Sequence, residues 1–274
     1  MEKYSVLMSV YAKVKPKELT ISIQSMLDQT YKPDEFVLVW DGPVGNDLKE
    51  VVSAFSQDNP GMFTIVQLPE NHGLAYALNV GINASRNELL ARMDSDDYSM
   101  PDRCEKQVKA FENDKELMLL GTNIGFFEDN PCCEIPTKRS YPTDLDTIKK
   151  KLRRNDPFSH PTVMYRKKAV LSCGGYDPEL RRRQDYDLFS QMVVNKGYKA
   201  ANLSDKLLLF RADDDYTVRN KNRESCNNRI LIQKRIYKRG DCGFVDYMYV
   251  WIAMNISKAI PNKLYEIIYR IIKG

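Results

Sequence analysis

The sequence predicts an α/β fold: a mostly parallel sheet with helices on both faces, followed by a helical C-terminal extension. Three observations predict it. Apolar runs of five or six residues alternate with helix-patterned segments through residues 5–93, in the order β-α-β-α-β-α-β. The helical segments carry their apolar residues on one stripe, the pattern of a helix laid on a sheet. The chain has 274 residues, 28% of them charged, and no low-complexity tract, enough to bury a full core.

The elements follow in order. Ser5 to Val10 reads as a buried strand, and Lys17 to Gln29 as a helix with Leu19, Ile23, Met26 and Leu27 on one stripe. Phe36 to Trp40 is the next strand, closed by Asp41-Gly42-Pro43. Leu48 to Phe55 is helical and stops at Asn59-Pro60-Gly61. Phe63 to Leu68 is a strand, Leu74 to Ala84 a helix entered through Asn71-His72-Gly73, and Leu89 to Met93 a fourth strand. A helix over 103–113, strands within 117–136, a basic helix from Leu145 to Arg154 and a strand from Pro161 to Tyr165 come next. Then come a short helix from Lys167 to Cys173, an amphipathic helix from Asp185 to Asn195 and a late strand from Lys206 to Phe210. From about Asn222 the pattern is helical. The expected division is a main domain over 1–215 and an extension over 216–274. In such sheets ligands bind beyond the carboxyl ends of the strands. Tyr11, Asp41, Asn71 and Asp94 each follow a predicted strand and should gather there.

Bulk chemistry excludes several classes. The net charge is only +4, so no nucleic-acid partner is expected. Six cysteines form no C-x-x-C pair and there are two histidines, which argues against zinc and for reduced thiols in a cytoplasmic protein. Met1 runs almost directly into a strand, so no signal peptide is expected. No window of about 20 apolar residues predicts a transmembrane helix.

Asp94-Ser95-Asp96-Asp97 is the feature that carries chemistry. Three carboxylates delivered to one point by an apolar strand repel one another unless a cation sits there. Aspartate oxygens are hard ligands suited to Mg²⁺ or Mn²⁺, usually shared with substrate phosphates. A solvated acidic turn is the plain alternative. Arg92 and Arg103 flank the cluster and could orient its carboxylates or meet phosphate.

Further landmarks are Ser9-Val10-Tyr11, Ser25 to Tyr31, Asp41-Gly42-Pro43, Asn71-His72-Gly73-Leu74 with Ala77, Asn79 and Gly81, and Arg92 to Asp97 with Pro101-Asp102-Arg103. Later ones are His160-Pro161-Thr162-Val163, Gly174-Gly175-Tyr176-Asp177 and Gln184-Asp185-Tyr186-Asp187-Leu188. In this order and spacing, over roughly residues 4–215, the chain resembles the family 2 glycosyltransferases of the GT-A fold, of the kind that builds bacterial capsule, exopolysaccharide and O-antigen. The resemblance implies that Ser9, Tyr11, Asp41, Asn71, Asp94 and Asp96 form a nucleotide-sugar site. It assigns Tyr11 to the base, Asp94 to the ribose side and Asp96 to the metal, Mn²⁺ or Mg²⁺, with Asp97 in support. Tyr11 as an aromatic covering the core, and Asp41-Gly42-Pro43 as a plain turn, remain open. Trp40 stands where relatives often carry a first acidic residue. Asp185 aligns with the catalytic base, Gln184 replacing the usual Glu; a helix-capping role is the alternative. Asp187 is the reserve base. His160 and Tyr176 are acceptor-side candidates. Arg211 and Arg219 align too loosely to be assigned.

The resemblance implies inverting transfer of a sugar from a nucleoside diphosphate, UDP first among them, to a hydroxyl of a saccharide acceptor, expected to be lipid-linked. Phe244 to Ile256 and Ile260 to Lys273 are amphipathic and fit a bilayer interface at the inner membrane face, a helical cap, or an oligomer contact. Two other classes compete. A sugar nucleotidyltransferase would show a glycine- and arginine-rich loop after the first strand, and Tyr11 to Pro16 has no glycine. A non-catalytic sugar-nucleotide-binding or partner subunit would have lost Asp185 or the acidic cluster; both are present.

Overall fold

The computed structural model describes residues 1–137, 140–212 and 223–259. Its strands are β1 (Tyr4–Val10), β2 (Glu35–Trp40), β3 (Phe63–Gln67), β4 (Leu89–Met93), β5 (Tyr98–Ser99), β6 (Leu117–Phe127), β7 (Met164–Arg166) and β8 (Lys199–Arg211). Its helices are α1 (Pro16–Leu27), α2 (Asn46–Asp58), α3 (Leu74–Ala84), α4 (Arg103–Asn113), α5 (Leu145–Leu152), α6 (Lys167–Ser172), α7 (Gln184–Ser190), α8 (Arg223–Arg239) and α9 (Phe244–Ala259).

The strands form one sheet of order β3-β2-β1-β4-β7-β6-β8-β5. The first four are parallel, with β1 between β2 and β4. The order reverses at β1, so a switch-point crevice opens beyond the ends of β1 and β4. β7 then runs antiparallel to both β4 and β6, β8 runs parallel to β6, and β5 runs antiparallel to β8. The parallel character read from the sequence thus belongs to the first half, and the second half is mixed.

Period-2 alternation splits the core into two layers. On one face Leu7, Val37, Val39 and Leu90 pack with α3 through Ala77, Leu78 and Ile82, and with α7 and α8. On the other, Val6, Met8, Phe36, Leu38 and Ala91 meet α1 through Leu19, Ile23 and Met26, and α4 through Val108 and Phe111. Local signals agree with the fold. Pro16 opens α1, where its missing N–H costs nothing. Asp144 caps α5 by accepting from the Thr147 N–H at 2.8 Å, and Lys149, Lys150 and Lys151 fill its last turn, where cations suit the helix dipole.

The second half departs from the sequence reading at four places. Residues His160–Thr162 form a 3-10 turn, because Pro161 has no N–H for a sheet ladder, and the strand starts only at Met164. The helix read over Asp185 to Asn195 is α-helical to Ser190 and π-helical from Gln191. β8 begins seven residues before Lys206, its polar middle offset by register shifts against β6. β5, two residues long, has no sequence signal. The amphipathic stretch beyond Ala259, Arg219 and Asp213-Asp214-Asp215 lie outside the described residues. α8 belongs to the main core, with Ile232 and Ile236 fully buried.

Candidate active site

Because β1, β2, β3 and β4 run parallel, Tyr11, Asp41, Asn71 and Asp94 follow strands that end at one edge of the sheet. Asp41, directly after β2, is buried, and its carboxylate is fully used. Oδ1 accepts from the His72 N–H at 2.8 Å; Oδ2 accepts from the Gly73 N–H and from Asn71 Nδ2, each at 3.0 Å. Asp41 and Asn71 therefore act first as a tie that shapes the loop into α3. Gly42 is required beside it: its φ is +89°, and a Cβ there would lie 2.7 Å from the Asn71 nitrogen. Tyr11, at the end of β1, is 46% exposed. That removes the core-covering alternative and leaves its ring open to a ligand at the switch point. Ser9 lies half-buried in β1 opposite Val39.

The acidic cluster follows β4. One oxygen from each of Asp94, Asp96 and Asp97 lies within 4.8 Å of the others, a spacing that fits a hard divalent cation. Asp94 is ion-paired to Arg92, and its carbonyl accepts from Ser22 Oγ at 2.6 Å. The Asp96 carboxylate reaches solvent from a recessed position. Desolvation there, then the charges of Asp94 and Glu18, push its pKa up to about 6 against the pull of Arg92. Asp97 is buried: Oδ1 accepts from the Arg211 N–H at 2.9 Å, and Oδ2 has no partner. Burial first, then Asp96 and Asp94, hold the Asp97 carboxyl well above the ordinary range. A buried carboxylate oxygen without a partner, within a triad of carboxylates, fits the demands of a hard divalent cation.

The two flanking arginines divide their work. Arg103 is fully buried and donates to the Arg92 carbonyl at 2.7 Å and to Gln107 at 3.1 Å, so it braces the strand end and does not face phosphate. Arg92 gives one nitrogen to Asp94, while its Nε and Nη1 are buried without a partner. Arg211, unassigned in sequence, lies against the cluster. Its Nε donates to the Asp96 carbonyl at 2.9 Å, and its guanidinium stacks 4.4 Å from the Phe127 ring centre.

One cavity of about 350 Å³ joins this end to the acceptor side. Arg92 and Asp94 line it, together with Asp156, His160, Arg183 and Asp185. Asp185 stands in the first turn of α7, its Oδ1 accepting from the Tyr186 N–H at 2.9 Å. Burial raises its pKa, opposed by that hydrogen bond and by Arg183 and Arg92. Asp187 faces away and pairs with Arg239 at 3.0 Å, so the reserve base is excluded from the cavity. Asp156 was not singled out in sequence. Its carboxyl is held well above the usual range, by burial first and then by the Asp185 charge. Arg183, at the α7 N-terminus, has φ +59°, the one non-glycine residue with positive φ among the described residues.

His160 and Tyr176 are also brought here, in different roles. His160 lines the cavity; Tyr176 is fully buried behind it, its hydroxyl 2.9 Å from His160 Nε2. The Tyr176 backbone is clipped by Asn79, which donates to its carbonyl at 2.7 Å and accepts from its N–H at 2.8 Å. Gly175 leaves room for that clip, since a Cβ would lie 2.5 Å from Asn79 Oδ1.

A family model described as Glycosyl transferase family 2 matches residues 5–175. An uncharacterized glycosyltransferase of Haemophilus influenzae is 35% identical over 98% of both chains. The amylovoran biosynthesis glycosyltransferase AmsE of Erwinia amylovora is 31% identical over 97% of both. An Escherichia coli protein named UDP-Gal:alpha-D-GlcNAc-diphosphoundecaprenol beta-1,3-galactosyltransferase is 28% identical over 98% of this chain and 95% of that one. Among solved structures, Staphylococcus aureus TarS 1-349 in complex with UDP-GlcNAc superposes with TM-score 0.63 at 19% identity, over 84% of this chain and 65% of that chain. The Pyrobaculum calidifontis mannosyltransferase PcManGT, in complex with GDP-Man and Mn²⁺, gives 0.63 at 13% identity, over 93% and 73%. At these identities the two structures establish a shared GT-A fold.

Proposed function

The chain belongs to glycosyl transferase family 2, and on that premise we propose that it is an inverting transferase moving a sugar from a UDP-sugar to a saccharide hydroxyl in surface polysaccharide assembly. The observation that carries this reading is the single cavity with Arg92 and Asp94 at one end and Asp185 at the other. Two acidic centres with separate tasks, one beneath the leaving group and one beside the nucleophile, suit a single displacement.

In this reading Tyr11 stacks on the base at the switch point, and Ser9 and the Asp41-tied loop shape the nucleoside pocket. Asp94 faces the ribose. Asp96, with Asp94 and Asp97, would hold Mn²⁺ or Mg²⁺, which supplies charge to the departing diphosphate when bound. The unpartnered Arg92 nitrogens offer further donors in the same cavity. Asp185 accepts the acceptor hydroxyl proton. The new bond forms between that oxygen and the anomeric carbon, while the bond to the diphosphate oxygen breaks and its electron pair leaves with the nucleotide.

A lipid-linked acceptor is supported by the diphosphoundecaprenol substrate for which the 28% identical relative is named. It agrees with the surface of α9, where Phe244, Val245, Tyr249, Ile252 and Ile256 are exposed, and Arg154, which follows the basic α5, sits over the Tyr249 ring. That apolar and cationic face suits the inner surface of an anionic membrane. Among the described residues no helix is long and apolar enough to cross a membrane.

The test is calorimetric titration with UDP, GDP, CMP and dTDP, with and without Mn²⁺. Binding of UDP only with metal, abolished in Asp96→Ala, is expected, followed by turnover of UDP-sugars. No binding of any nucleotide would overturn the donor site and favour a non-catalytic role.

A further inference from the structure

We propose that the attacking hydroxyl of the acceptor is cradled between His160 Nδ1 and Asp185 Oδ2, and that Tyr176 fixes His160 as the Nδ1–H tautomer for this task. The inference rests on Asp185 being the base. It assigns His160 a direct contact to the nucleophile and Tyr176 a positioning role.

Three observations carry it. First, His160 and Asp185 both line the cavity, and His160 Nδ1 lies 3.9 Å from Asp185 Oδ2. That is too long for a hydrogen bond between them, yet one oxygen fits between at an ordinary ~2.8 Å from each. Second, the other atom of each group is already occupied. Tyr186 N–H holds Asp185 Oδ1, and the Tyr176 hydroxyl holds His160 Nε2. Nδ1 and Oδ2 are the atoms left for a ligand. Third, the clip from Asn79 fixes the Tyr176 backbone, so the imidazole is oriented from a rigid helix.

The tautomer follows from charge. Nδ1 faces a carboxylate, which favours an N–H there over a lone pair. Nε2 is then the acceptor, and the Tyr176 phenol donates to it. Burial and the Tyr165 neighbour keep that phenol protonated. The groups facing His160 are Arg92 from β4, Tyr176, Asp185 and the Phe189 edge; burial first and Arg92 second keep the imidazole neutral. A hydroxyl in the cradle uses every valence. Its proton points to Asp185, one lone pair takes the His160 N–H, and the second lone pair is free for the anomeric carbon.

The chain has two histidines, so imidazole ¹⁵N spectroscopy tests this without any acceptor. His72→Asn identifies the His72 signals. In the wild-type protein His160 should show one neutral species, protonated at Nδ1, from about pH 6 to 8, a range in which an ordinary histidine titrates. Tyr176→Phe should give a mixture of tautomers. A fixed Nε2–H tautomer, or titration near the ordinary value, overturns the cradle. In a second arm, His160→Asn, which places an N–H near the Nδ1 position, should keep UDP-sugar turnover within ~10-fold, whereas His160→Gln should lose ~100-fold, the scale of a misplaced acid–base site. Equal loss in both overturns it. UDP binding with metal, measured on the same samples, separates failure of the cradle from failure of the glycosyltransferase reading.

Discussion

The proposed donor end and acceptor end of the site are both acidic, but they are assembled in opposite ways. At the donor end three carboxylates arrive together on one strand end, within four residues. At the acceptor end Asp156 and His160 come from the segment before β7, Tyr176 from the turn after α6 and Asp185 from α7, and none is recognisable alone. The chemistry differs to match. The donor cluster is a set of mutually repelling oxygens with one orphan, Asp97 Oδ2, poised for a cation. The acceptor cluster is mostly internally satisfied and leaves two atoms facing the cavity. A metal site needs like groups in one place, which local sequence can supply. A base needs one group with a tuned environment, which only tertiary structure can supply.

The sharpest break between the ends comes from Asp185→Asn against Asp96→Asn. Loss of a positioned base costs ~10²–10⁴ in transfer rate. Asp185→Asn should show that loss with metal-dependent UDP affinity unchanged. Asp96→Asn should lose both. Equal loss of nucleotide binding in the two variants would mean that the ends are not independent.

A smaller effect separates the members of the acceptor pair. Burial raises both the Asp156 and Asp185 carboxyls, and the Asp185 charge raises Asp156 further. Asp156 therefore ionises after Asp185, and removing its carboxyl should leave the ionisation of Asp185 in place. The acid limb of the pH–rate profile should stay where it is in Asp156→Asn and move up in Arg183→Gln, which removes a cation. The stability sign follows from linkage. A carboxyl whose folded pKa is raised binds more protons when folded, so its contribution to stability falls as pH climbs from the unfolded value, about 4, through the folded one. Asp156→Asn should thus melt higher than wild type at pH 8, with the gain vanishing below about pH 4. An unchanged melting temperature at pH 8 would show that the pair is solvated.

How far each end could be read from sequence follows the same division. The first half was legible nearly to the residue: α3, β4 and α4 lie where periodicity and the turn residues before them put them, because each apolar stripe or run there serves a single face or strand. The acidic cluster was legible because its ligands are adjacent. The work of Asp41 was not, because what occupies its carboxylate is a loop 30 residues away. Arg211 was invisible as a neighbour of Asp97 because β8 carries it there past a register shift that no periodicity records. Tyr176 was readable only as an acceptor-side candidate after two glycines; its direct hydrogen bond to His160 is supported by the backbone clip from Asn79, a contact across 97 residues.

The smallest expected effect tests the donor end at its rim. Tyr11 is exposed, and among the described residues no side-chain hydrogen bond of its hydroxyl is seen, so its value to a nucleotide lies in its ring. Aromatic stacking on a base is worth ~1–3 kcal/mol, and at an open rim the lower bound applies. Tyr11→Phe should leave UDP affinity unchanged, and Tyr11→Ala should weaken it ~5–10-fold, with ~1.4 kcal/mol per tenfold step. Both variants should melt like wild type, since an exposed ring at a strand end contributes little to the core. If Tyr11→Ala lowers the melting temperature but not the affinity, the ring packs on the protein and the base lies elsewhere. The donor end would then be defined by Asp94 and Asp96 alone, and the contrast between a pre-gathered metal site and an assembled base would hold without a base-stacking platform.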